Sequence, residues 1–185
     1  LVQAKNILSF LVQCAAVAAL CSVLWFAVAY SLAYSGDGDW LGDGAVFFLR
    51  GISRNTVHAK THIPESVFVM FQMTFAVITP ALIIGAYVER IRFAAVLMIS
   101  ALWLVIVYAP VAHWVWGGGL LNHAPADQFG VQALGVVSAA VFSGLATFVI
   151  TKPADVAVGL RVDREHETLG LDFASHGETG YHINR

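Results

Sequence analysis

Apolar residues fall in four long blocks, separated by polar or glycine-rich stretches. Two of the blocks, 67–88 and 93–116, are joined only by Glu89-Arg90-Ile91-Arg92. A block of about 22 residues at ~1.5 Å per residue crosses a hydrocarbon core of ~30 Å. So short a charged hinge predicts a transmembrane helical hairpin. A block at 7–33 precedes the pair and one at 130–151 follows it. The expected class is all-α: a polytopic membrane protein with about four spans over 1–151 and a polar tail at 152–185.

The paired blocks carry groups that a plain anchor does not need. Pro80 and Pro110 lack an N–H and free the carbonyls of Ala76 and Ile106. In a bilayer such carbonyls need partners from the protein or from a water-filled cavity. With Gln72, Thr74 and His113, they predict a packed bundle that lines a path. Small residues four apart (Ala15/Ala19, Ala18/Ser22, Ala139/Ser143, Ala140/Gly144) mark helix-packing positions.

The connections are read from their turn residues. The stretch 34–66 is a loop rich in Gly and Asp, with a short interfacial helix expected at 44–50. Gly117-Gly118-Gly119 ends the third span with residues that tolerate positive φ. In the tail, Gly170 and Gly177 allow turns that fold it back. The first block is too long for a signal-peptide core and shows no evident cleavage site. The chain starts at Leu1 without Met, so an upstream segment is expected.

Composition supports the membrane class: 58% hydrophobic and 12% charged, with a mean hydropathy of +0.74. A net charge of −2 without a basic run argues against nucleic acid as a partner. Four spans put both termini on one side. Seven of the ten Lys and Arg residues lie there, which predicts cytoplasmic termini in the cell membrane and outside loops at 34–66 and 117–129. Cys14 and Cys21 stand about two helical turns apart, too far to bridge, and read as small buried hydrophobes.

Candidate chemistry is sparse. No catalytic triad, phosphate loop or cysteine cluster is present, so an enzyme is not expected. Asp37, Asp39 and Asp43 lack the spacing and closing Glu of an EF-hand and read as a solvated loop. His58 and His62 are four apart, but Pro64 follows and no third ligand is evident. His166 beside Glu165 and Glu167 reads as a solvated pair. No metal or cofactor is expected. The distinctive residues are aromatic: Phe71, Phe75, Trp114 and Trp116, near one end of the paired spans. A belt at the membrane surface is the bland reading of the tryptophans, and core packing that of the phenylalanines. The sharper reading is a cation site, because a ring face attracts a small cation by ~0.5–2 kcal/mol.

The strings FQMTFAVITPALIIGAYVERIRF and WLVIVYAPVAHWVWGGGLL closely resemble the ammonium transporter family, the ammonium/methylamine permeases related to the Rhesus proteins. LVQAKNILSFLVQ resembles that family's second helix, with Gln3 where Arg is usual. QFGVQALGVV and DVAVGLRVDREHETLGLDFASHGETGY resemble its last helix and cytoplasmic tail. The resemblance implies a homotrimer of eleven-helix subunits, each with a narrow apolar pore and two inverted repeats. It implies ammonium or methylammonium as substrate. It also implies a tail that couples subunits and a PII-type signalling protein at the cytoplasmic face. By the motifs, Trp116 matches the recruiting tryptophan and Phe75 the recruiting and gating phenylalanine, with Phe71 beside it.

The pattern also departs from the family. Its first helix and six central helices, with the paired pore histidines, have no counterpart here, and the junction falls near 122–128. None of His58, His62, His113, His123, His166, His176 or His182 matches the pore pair; His113 belongs to AHWVW and reads as structural. The reading is thus ammonium transport by a fragment or internally deleted transporter, a chain not expected to conduct by itself. A non-conducting binding or assembly subunit is one alternative. A channel for another small solute is the other.

Overall fold

The computed structural model describes residues 2–87, 89–122 and 128–178. The expected junction at 122–128, His123 and His182 lie wholly or largely outside them. Among the described residues the fold is all-α, with two isolated antiparallel bridges, Val57–Pro64 and Ile91–Arg161. Four helices are long and apolar enough to cross a membrane. They are α1 (Ala4–Tyr34), α2 (Glu65–Ile84), α3 (Phe93–Gly117) and α4 (Gln128–Val158). The chain alternates direction, so Tyr34, Glu65 and Gly117 share one end and Ala4, Ile84, Phe93 and Val158 the other.

α1 packs through Val17, Cys21, Trp25, Ala29 and Ala33, all fully buried and each four residues from the last. In a regular helix a four-residue step overshoots a turn by about 40°, and such a stripe would wind away from its neighbours. The backbone widens to i→i+5 bonding at Trp25–Ala29, which offsets part of that drift. The Trp25 indole then donates to the Val69 carbonyl at 3.1 Å and ties α1 to α2.

α3 widens twice, at Leu104–Tyr108 and His113–Gly117, on either side of Pro110. The Ala109 N–H bonds to the Leu104 carbonyl, which re-registers the ladder just ahead of the residue that cannot donate. Gly118 closes the helix at φ 104°. Only glycine approaches this closely: a Cβ at Gly117 would stand 2.0 Å from the Ala33 carbonyl oxygen.

Two element ends differ from expectation. α2 stops at Ile84, short of the expected 88, because the Ala86 and Tyr87 amides turn back to Ile83 and Ile84. α4 runs past the expected 151 to Val158, carrying Pro153 inside it. It ends where Gly159 takes φ 69° and Leu160 N–H donates to Asp155. The expected interfacial helix at 44–50 is a single tight turn, Phe47–Leu49.

The tail is ordered and folds back. Two short helices, α5 (Arg164–Leu169) and α6 (Leu171–His176), meet at Gly170, φ 99°. The buried carboxylate of Asp172 accepts from the Leu8 and Ser9 amides at 3.0 and 2.7 Å. These amides belong to the start of α1, where intrahelical acceptors are missing. Asn6 Oδ1 accepts from Leu171 N–H at 2.8 Å, and Lys5 Nζ donates to the Glu167 and Thr168 carbonyls. The Arg90 and Arg92 backbone pairs with 160–162, so the tail also holds the hairpin hinge.

Candidate functional site

At the end opposite the tail, α2 and α3 present their aromatic residues to one cleft of about 360 Å³. Phe71, Phe75 and Trp116 all line it, with Tyr34, Phe68 and Gln72 completing its helical walls. Phe71 and Phe75, one turn apart, meet edge to face with centroids 5.1 Å apart. The three rings are 54%, 45% and 56% exposed, respectively. Among the described residues, therefore, nothing buries them. Trp116 also borders a groove against α4, with Leu121 and Gly135 across it.

Trp114 separates from this group. It is buried, its indole donates to the Trp40 carbonyl at 2.8 Å, and its ring meets Phe142 of α4 edge-on at 5.0 Å. His113 is fully buried, with Nδ1 3.0 Å from the Ala33 carbonyl and Nε2 2.5 Å from that of Gly38. It fastens the end of α3 to the end of α1 and the loop after it. Glu65, at the start of α2, accepts from the Tyr30 hydroxyl. Three helix ends are thereby fixed around the rings.

One wall comes from the loop before α2, which sequence reading had not placed there. The amide of His58 bonds the Ile63 carbonyl and Glu65 N–H bonds that of Thr56, forming a tight two-stranded turn. The His58 ring stacks on Phe68 at 3.8 Å, and its Nδ1 lies 2.9 Å from Thr61 Oγ1. The turn brings His58, Lys60 and Thr61 to the cleft. The spacing of His58 and His62, weighed above for zinc, serves this turn: His62 N–H bonds the His58 carbonyl. In the acidic loop, Asp43 accepts from the Ala45 amide and the Ser35 hydroxyl, which hold its carboxyl below the usual range.

A larger cavity, about 520 Å³, lies beneath the tail, bordered by Gln13, Arg92, His166 and His176. None of the aromatic candidates borders it. The 360 Å³ cleft joins all three, and ring faces around a recess can replace part of a small cation's hydration shell.

Apolar helices of spanning length, packed as a bundle with an aromatic recess at one end, define a multi-pass membrane protein. The sequence profile of the Ammonium Transporter Family matches residues 1–127 and 118–181. An ammonium transporter of Bacillus subtilis is 38% identical over 183 residues, which are 99% of this chain and 45% of that protein. A putative ammonium transporter of Methanothermobacter thermautotrophicus is 40% identical over 146 residues, 78% of this chain and 34% of that one. The crystal structure of Candida albicans Mep2 aligns with a TM-score of 0.53 at 31% identity, over 57% of this chain and 23% of that chain. The chain belongs to the ammonium transporter family. It spans less than half the length of these relatives.

Proposed function

We propose that this chain supplies the cation-recruiting mouth of an ammonium transport pathway, with Trp116, Phe75 and Phe71 as the ligand-facing residues. The observation that carries this is their meeting, half exposed, around one cleft. Carrying ammonium's charge into an apolar path is expensive. Aromatic faces at the entrance offset part of the lost hydration, on the order of 1–2 kcal/mol. Recruitment and conduction are separable on this reading: the mouth is built from 34–122, and no histidine of the chain matches the family's pore pair. Conduction then belongs to an assembly with further helices, in the family's manner a homotrimer.

Supporting such an assembly, α4 turns Leu134, Val137, Val141, Leu145 and Phe148 outward, and nothing stands within 4 Å of a Cβ at Gly144. The Lys and Arg distribution supports an outward-facing mouth in the cell membrane and a cytoplasmic tail, the face where a PII-type partner would act. The test is methylammonium binding to the purified chain in nanodiscs, beside uptake into liposomes. Expected are weak saturable binding, lost by roughly 5–30-fold in Trp116→Ala, and no uptake. Binding indifferent to Trp116 would refute the site. Saturable uptake by the chain alone would refute the separation.

A further inference from the structure

We propose that Lys60 is a specificity-determining residue of the mouth, a fixed ammonium that weakens the cleft's hold on cations and discriminates against dications. The inference rests on the cleft being a cation site, as proposed above. Three observations carry it. First, Lys60 lines the same cleft as Trp116, Phe71 and Phe75. Its Nζ would lie 3.9 Å from a Cβ at Gly118, two residues beyond the indole. Second, its place is built. The 57–64 turn is closed by the His58–Ile63 and Glu65–Thr56 backbone bonds and pinned by the stack of His58 on Phe68. Third, its ammonium has no direct partner among the described residues. Among the described residues Lys60 makes no ion pair, and no carboxylate lines the cleft. The nearby Glu65 is engaged by Tyr30.

A cation entering the recess therefore meets attraction from ring faces and repulsion from a like charge. At a separation of roughly 7 Å in a wet site, that repulsion corresponds to about a three- to tenfold weaker hold. It grows with ligand charge, so an α,ω-diammonium ligand loses more than a monoammonium, up to about the square of that factor if both charges lie equally near. A mouth tuned this way releases a monovalent ion readily and turns away polycations, which suits an entrance rather than a store.

The test is equilibrium binding of methylammonium, and of 1,4-diammoniobutane, to the purified chain in nanodiscs at fixed sodium chloride, followed through the ligand's own proton resonances. Expected is roughly three- to tenfold tighter methylammonium binding in Lys60→Gln, a larger gain for the diammonium, and unchanged binding in Lys60→Arg, which keeps the charge. Lys60 is exposed, so these variants fold. If Trp116→Ala abolishes binding while Lys60→Gln leaves it unchanged or weaker, the inference fails and the mouth reading stands. An equal gain in Lys60→Arg also overturns it, since charge would not be the cause. If Trp116→Ala binds like the parent, the mouth reading fails and takes this inference with it. Binding seen only in Lys60→Gln would support it in its strongest form.

Discussion

The two ends of this bundle are held by different means. At the tail end, polar groups reach across the chain: Asp172 caps α1, Asn6 holds Leu171, Lys5 caps α5, and Glu89 accepts from the Gln3 amide at 2.7 Å. At the mouth end, the ties are fewer and sit behind the rings, through His113, Trp114 and Glu65. The aromatic faces themselves make no polar bond that would hide them. One end uses hydrogen bonds to latch the tail onto the spans, the other to hold the helices behind an aromatic recess. A recess that admits an ion, as proposed above, cannot be filled by its own side chains, so its order has to come from the layer beneath.

The strongest challenge to this contrast is Gly117→Ala. Its Cβ would meet backbone at Ala33, which His113 holds in place, at a cost of about 3 kcal/mol, the upper part of the overpacking range. Expected are faster amide exchange at 30–40 and a lower melting temperature, with Leu8 and Ser9 still protected. Equal loosening at both ends would mean that they are one cooperative unit.

Asp172→Ala tests the other end. It leaves two helix-start amides without their acceptor, at about 2 kcal/mol. The tail should become protease-sensitive near 159–163 while methylammonium binding is unchanged. Asp172→Asn, whose amide oxygen still accepts, should recover part of the loss. A change at the mouth in either variant would join what the structure separates.

The smallest effect is a pH dependence. The Gln3 amide, more than any other group, holds the Glu89 carboxyl below its ordinary 4.5. A depressed carboxylate stabilises the fold above its unfolded value, and that contribution fades as pH falls through the lower, folded one. Protection of the Gln3 amide should thus be flat above about pH 5 and decline below it. Glu89→Gln should remove that acid step. A decline that persists in this variant would assign the step to another acid.

The spans were legible because a bilayer imposes length and apolarity on each segment separately. The glycine stop after Trp116 was legible for a similar local reason, whereas His113 was read as structural only through the family's AHWVW motif, its partners Ala33 and Gly38 lying far back in the chain. The aromatic candidates stood out by type and by family motif, and the structure does bring Phe71, Phe75 and Trp116 to one cleft. What was not legible depends on distant partners. His58 and Lys60 reach the cleft only through the turn at 57–64, whose signal was limited to Pro64 and the pair of histidines. Asp172 looks like any acid in a polar tail, yet it is fully buried against amides 163 residues away. The widening at Trp25 likewise answers to Val69 on another helix, and no periodicity within α1 announces it.

The trans cap on α1 has a consequence for biosynthesis. The amides of Leu8 and Ser9 leave the ribosome well before their acceptor, which lies 164 and 163 residues further along this chain. At roughly 5–20 residues per second, that interval is on the order of 8–33 s. Through it the first turn of α1 has only interfacial water for a partner, while α2, α3 and α4 are synthesised and inserted. Closure of the tail therefore follows the synthesis of α4. A chain interrupted between Val158 and Asp172 would carry the four spans described here and an unlatched first turn of α1, a difference that quality-control proteases acting on the tail side could read.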